Sequence, residues 1–239
     1  MITTTGADVL RDAFAASCKS LDRILDGVSD EEFFWEPVAG CWTVHRRSES
    51  RGVSADGSGE WVIDWDPAQP KPAPFTTIAW RAVHTAGTNY LYWEYAFGSA
   101  SPSFDLELPG NAADATHFLS DSQRQVTQTL ASLSESDLDK MVRHTSGGHR
   151  SVHRILAGLI NEQVHHGAER SLLRDLYRYR SSLTAARHSG TAAVPASQKW
   201  ERSPRHERMV VLFAADGHPR GHRRCLGGVH PARHGTVRC

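Results

Sequence analysis

Ile155-Leu156-Ala157-Gly158-Leu159-Ile160-Asn161-Glu162-Gln163-Val164-His165-His166-Gly167-Ala168-Glu169 is the stretch on which the fold turns. On an α-helix, Glu162 and His166 stand four residues apart, about 40° around the axis and roughly 6 Å along it. Ile155 and Leu159 precede them on the same stripe, and Leu173 and Leu176 continue it. A carboxylate and an imidazole thus point where leucines point above and below. A buried carboxylate without a partner is costly, so a charge or a metal has to compensate it. A divalent metal does so, and Glu-x-x-x-His spacing lets both side chains reach one ion. The spacing alone favours a plain Glu–His hydrogen bond. Burial on the stripe makes the two readings even. His117 and Asp121 share the spacing but have exposed polar neighbours, and His165 falls off the stripe onto the helix surface.

Outward from this helix, which spans Ser151 to about Tyr179, three more long helices are predicted. Val9 to Val28 carries Leu10, Phe14, Cys18, Leu21 and Leu25 at spacings of three and four. Ser29-Asp30-Glu31-Glu32 then reads as a capping box for a short helix that Pro37 ends. Phe75 to Phe97 is rich in aromatics, and Asn111 to Leu133 turns Ala115, Phe118, Leu119, Val126 and Leu130 inward. Ser134 to Val142 holds a short turn. Ala39 to Pro74 loses all period and is predicted to be a long loop, with a short strand at Glu60 to Trp65. No alternating strand set supports a sheet. The expected fold is all-α, a four-helix bundle over residues 1–180 with a long loop between helices one and two.

The 239 residues hold 27 Lys+Arg and 27 Asp+Glu, but the balance is uneven along the chain. Residues 181–239 contain ten basic and three acidic residues and six of the 14 histidines; the first 180 contain 17 basic and 24 acidic. An acidic body argues against nucleic-acid binding, which needs a basic face. The Arg/His/Gly/Pro-rich tail is expected to be disordered or a non-native extension, of the kind an out-of-frame gene end would encode. No run approaches the ~18 apolar residues of a membrane span, and Met1 to Asp8 lacks a signal-peptide pattern. Cys18, Cys41, Cys225 and Cys239 lie far apart without a CxxC pair, which excludes a zinc-finger scaffold and makes a reducing cytoplasm the expected location.

A metal needs a third ligand. His84, in Ile78-Ala79-Trp80-Arg81-Ala82-Val83-His84, sits in a mostly apolar turn and is either that ligand or a hydrogen-bonded core histidine. Three segments in order resemble the DinB-like superfamily, which includes mycothiol-dependent maleylpyruvate isomerases and bacillithiol-linked transferases. Pro37-Val38-Ala39-Gly40-Cys41-Trp42-Thr43-Val44 resembles the segment ahead of the family's second helix. Thr77 to His84 resembles its metal-histidine motif on that helix. Asn161 to Glu169 resembles its fourth-helix motif, in the form in which Glu replaces the first His, as in the isomerase branch. The resemblance covers about residues 6–180.

It implies a divalent metal, zinc, held by His84, Glu162 and His166, with a fourth position open for water or substrate. In its thiol-dependent branch it also implies a small-molecule substrate and a thiol such as mycothiol as cofactor; the charge and hydropathy already argue against a nucleic-acid or membrane partner, and the assembly is open, a homodimer among the options. Trp42, Arg81 and Glu169 are the expected substrate-binding residues at the mouth of the site, although Arg81 and Glu169 serve equally well as a surface ion pair. The 39–74 loop is expected to cover that mouth. Three functions remain open on the residues: a metal-dependent thiol S-transferase or hydrolase, a metal-holding stress-response module without turnover, and a purely structural bundle in which Glu162 pairs with a histidine.

Overall fold

The computed structural model describes residues 4–49, 51, 53–68, 70–98, 105–144 and 148–188, with side chains to residue 181. The chain is mostly helical. Its elements run α1 (Gly6–Leu25), α2 (Asp30–Phe33), β1 (Val44–Arg46), β2 (Ala55–Asp56), β3 (Trp61–Asp64), α3 (Ile78–Phe97), α4 (Ala112–Ser132), β4 (Met141–Arg143), β5 (His149–Ser151) and α5 (Val152–His188). The helices begin where side chains can satisfy their free N–H groups. Thr5 and Asp8 form a capping box on α1, and Ser29, Thr77 and Asn111 cap α2, α3 and α4. α5 runs well past Tyr179 to His188. The rest of the expected tail, from residue 189, lies outside the described residues.

Each long helix packs against two others: α1 on α4 and α5, and α3 on α4 and α5. The interior has two apolar clusters. One gathers Leu21, Leu25, Ile78, Ala82, Leu119 and Leu173; the other gathers Phe14, Val126, Leu130, Leu156 and Leu159. A polar layer separates them, and all four helices contribute to it. Gln123 Nε2 donates to Gln163 Oε1 at 2.9 Å, Cys18 Sγ to the same oxygen at 3.5 Å, and Asn89 Nδ2 to Ser122 Oγ at 3.0 Å. Buried amides paired in this way have fewer alternative partners than leucines, so the layer fixes the axial register of the helices.

The 39–74 segment corrects the expectation of a loop. It folds into a three-stranded antiparallel sheet of order β1-β3-β2, with Val44 and Asp56 both opposite Ile63. The predicted strand is its central member. Alternation is missing from the sequence because both faces of β3 are covered: Val62, Ile63 and Asp64 are all buried. Asp64 tolerates burial because it accepts from Thr43 N at 2.8 Å and meets His45 Nε2 at 3.0 Å and Arg51 Nε at 3.4 Å. The sheet is tied to α3 by Trp80 Nε1, which donates to Asp64 O at 2.7 Å. Both ends of the segment are pinned together: Trp42 N donates to Phe75 O at 2.8 Å, and Thr77 N to Trp42 O at 3.0 Å. A second departure is the β4–β5 hairpin, which turns through Gly148 at φ +81° just before α5. Among the described residues, no helix is long and apolar enough to cross a membrane.

Candidate metal centre

α5 presents a continuous inward stripe, and its polar members form the site. Going along it, Ile155 and Leu159 lead to Glu162 and His166, then Arg170, then Leu173 and Tyr177. α3 presents His84 to the same place. His84 Nε2 lies 3.5 Å from Glu162 Oε2, and His166 Nε2 lies 3.2 Å from the same oxygen. The two imidazoles meet edge to face, with centroids 4.9 Å apart. One ligand atom from each of the three residues lies within 4.8 Å of the other two. The structure thus brings together the three side chains singled out in the sequence.

Protons decide what this cluster can hold. His166 Nδ1 is 2.8 Å from Glu169 Oε2. Arg81 Nη1 is 3.1 Å from the same ring nitrogen and forms an ion pair with Glu169. A guanidinium only donates, so an unprotonated Nδ1 accepts from Arg81 and leaves Nε2–H to donate to Glu162 Oε2, whereas a protonated Nδ1 donates to Glu169 and leaves a lone pair on Nε2. In the second tautomer the contact with Glu162 is relieved by a second proton on His166 or by a cation between the groups. Burial works against the second proton and holds His166 down to about 4. Hydrogen bonds from His166 and His84 hold Glu162 well below the usual carboxylate range, so it is an anion at neutral pH. Two imidazole nitrogens and one carboxylate form a donor set suited to zinc. The residues present fit a divalent metal.

Of the expected substrate-binding residues, Arg81 and Glu169 meet at one side of His166, and Trp42 is packed behind the indoles at His84. Arg81 and Glu169 stand on the Nδ1 side of His166, away from the face where the Nε2 atoms meet Glu162. Trp42 is buried at 8% exposure, with its ring 6.1 Å from Trp80 and 6.3 Å from Trp65. Trp80 and Trp65 are the indoles stacked on His84, at 4.5 Å and 5.9 Å and nearly parallel to it. The sheet therefore covers His84 through Trp65, while Trp42 backs the stack. His165 is exposed and reaches Glu169 Oε1 at 3.2 Å. With His166 and Glu169 it forms a second possible donor group.

Arg170 was missed in the sequence. It is fully buried, its Nε donates to His166 O at 3.2 Å, and its two terminal nitrogens have no hydrogen-bond partner among the described residues. Burial pushes its pKa down to about 9. The signal was present: Arg170 follows His166 by four residues on the stripe that leads to Leu173.

A search of the curated proteins finds no match. Among solved structures, the chain is similar to a DinB-like protein from Bacillus cereus ATCC 10987, with 14% identity and a TM-score of 0.47, covering 72% of this chain and 90% of that one. The family model of the DinB superfamily matches residues 13–169, a span that begins in α1 and ends at Glu169. That is well over half of the sequence, and it encloses His84, Glu162 and His166 together; the chain belongs to the DinB superfamily.

Proposed function

We propose that the chain is a divalent-metal-dependent enzyme on a DinB-type four-helix bundle, with zinc held by His84, Glu162 and His166. The observation that carries this is the convergence of three donors: one ligand atom each from His84, Glu162 and His166 lies within 4.8 Å of the other two. Glu162 Oε2 is 3.2 Å from His166 Nε2 and 3.5 Å from His84 Nε2. The proposed reaction class is S-transfer from a small thiol of the mycothiol type to a small electrophile. Its support is the Glu form of the fourth-helix motif, which resembles the thiol-dependent isomerase branch. When bound, zinc lowers the pKa of a coordinated thiol or water and supplies a nucleophile at neutral pH.

The chain's own residues prepare that chemistry. Glu169 fixes the tautomer and orientation of His166, a role that carboxylates commonly play behind metal-binding histidines. Arg81 is the counter-ion of Glu169; burial pushes Arg81 down to about 10, which still leaves it charged at neutral pH. Trp65 and Trp80 exclude water from one side of His84. Arg81 and Glu169 thus act through His166, and Trp42 acts through Trp65. Cys18 and Cys41 are free thiols, which suits the proposed cytoplasmic location.

Elemental analysis of protein purified without a histidine tag tests the centre. The expected result is about one zinc per chain, lost in His84→Ala and His166→Ala. Metal-free wild-type protein that takes up no divalent ion would overturn it, leaving a structural Glu–His cluster. Turnover of an electrophile only with mycothiol present supports S-transfer. Turnover with water alone makes the protein a hydrolase, and metal without turnover makes it a holding module.

A further inference from the structure

A cavity adjoins the proposed metal centre at His84. One face of the sheet and one stripe of α3 enclose about 150 Å³, lined by Asp56, Ile63, Trp65, His84, Thr88 and Leu91. The geometry follows from the two periods. Asp56 and Ile63 are cross-strand partners and so share a face, and Trp65 follows Ile63 by two. His84, Thr88 and Leu91 are spaced by four and three on α3. An apolar cavity of about this volume holds a single benzene-sized ring.

Asp56 makes this cavity unusual. It is half-buried on edge strand β2, and its carboxylate makes no hydrogen bond or ion pair among the described residues. Other inward carboxylates of the protein are compensated: Asp64 by His45 and Arg51, Glu32 by Arg174, Glu169 by Arg81. Burial alone pushes the Asp56 carboxyl up, and no charged neighbour offsets it. A carboxylate kept in apolar surroundings without a cation is costly unless a ligand brings one.

We propose that this cavity binds the body of a small cyclic or aromatic primary amine, with the ring against Trp65, Ile63 and Leu91 and the ammonium group on Asp56. This rests on the reading of His84, Glu162 and His166 as the reactive centre, since it makes the amine-bearing molecule the substrate held beside it. Asp56 is the specificity-determining residue. It selects a cation, and the apolar walls select a ring.

The test uses the full chain, both zinc-loaded and chelator-treated, with benzylamine and its uncharged isostere benzyl alcohol as probes. Binding is read at neutral pH by quenching of tryptophan emission and by NMR line broadening of the probes. Benzylamine is expected to bind about tenfold more tightly than benzyl alcohol, the size of one charge-assisted hydrogen bond. Asp56→Asn should bring the two probes within about twofold while retaining the affinity for the alcohol. Leu91→Trp, which fills the cavity, should weaken both. The proposal is overturned by equal affinity for the two probes in wild-type protein, by a preference that survives in Asp56→Asn, or by no binding of either probe at tens of millimolar. The wild-type comparison stands even if a variant fails to fold. Metal content measured on the same samples separates the two readings: zinc without amine preference sinks this proposal alone, and amine preference in protein that takes up no metal sinks the metal centre alone.

Discussion

Replacing Glu169 with Gln separates a residue that braces the centre from one that touches substrate. The carboxylate takes the Nδ1–H of His166 at 2.8 Å and pairs with Arg81, whose side chain is 14% exposed. An amide still offers an oxygen to Nδ1–H, so the ring keeps a partner. It removes the negative charge that raises the basicity of the imidazole, and it leaves the Arg81 guanidinium without its counter-ion. Changes to such partners of metal-binding histidines typically weaken metal binding about 10- to 100-fold, or about 1.4–2.7 kcal/mol. Competition against a chromophoric chelator at neutral pH measures this directly, with circular dichroism to confirm that the variant is folded. Glu169→Gln should lose zinc affinity in that range, with any KM changing less than the metal constant. If zinc affinity stays within about twofold of wild type and KM rises instead, Glu169 is a substrate contact and the bracing argument is wrong.

Removing the metal should lower thermal stability: zinc at about 100 times its Kd adds about 2.7 kcal/mol, or roughly 5–11 °C in Tm for a domain of this size; an unchanged melting curve after chelation speaks against the centre. Arg174 clamps α2 to α5, with Nε 2.9 Å from Glu32 Oε1 and Nη1 donating to Ile24 O and Asp26 O. Arg174→Met leaves Glu32 buried without a counter-ion and should cost about 3–5 kcal/mol in urea unfolding; a loss under about 1 kcal/mol refutes the clamp. Burial pushes the Cys18 thiol up to about 12, so iodoacetamide at mildly alkaline pH should label it only in urea, as peptide mass mapping would show. Its folded value lies above the unfolded one of 9.0, so the stability it lends is intact below pH 9 and lost as pH rises from 9 toward 12. Cys18→Ala should flatten that alkaline decline, and an unchanged slope counts against the shift.

The long helices were legible from apolar spacing, or from aromatic content in α3, but with the caps Thr5 and Thr77 unread, α1 starts at Gly6 rather than Val9 and α3 at Ile78 rather than Phe75. The juxtaposition of Glu162 and His166 was legible for the same reason, being a matter of one helix. His84 was different. Its own turn showed only that the ring could face inward, and the family resemblance was needed to bring it to α5. The sheet was hidden because its strands are two to four residues long and β3 is covered on both faces, so no alternation reaches the sequence. For the same reason Trp65, rather than Trp42, could not be chosen as the ring over His84: without the pairing of β3 with β1 and β2, nothing fixes which tryptophan faces α3. Arg170 went unread because a guanidinium on an apolar stripe looks like the stripe's edge until the packing shows it buried.

The pinning of the 39–74 segment limits what can replace it. Trp42 is bonded both to Phe75 O and from Thr77 N, so the chain leaves and rejoins the helical core at a single bridge. Everything the sheet adds is strung between two adjacent anchor points, as a cassette is. His84, Glu162 and His166 all lie outside it, while Asp56, Ile63 and Trp65 lie inside it. The proposed metal ligands thus come from the helices alone, while the proposed cavity is shared between the helices and the segment. A different insert closed by the same bridge would have to replace Val44 and Ile63 in the core, the Asp64 carbonyl that holds Trp80 and the Trp65 ring on His84. Foreign segments grafted between Trp42 and Thr77 to redirect this scaffold toward new ligands therefore have to restore those contacts.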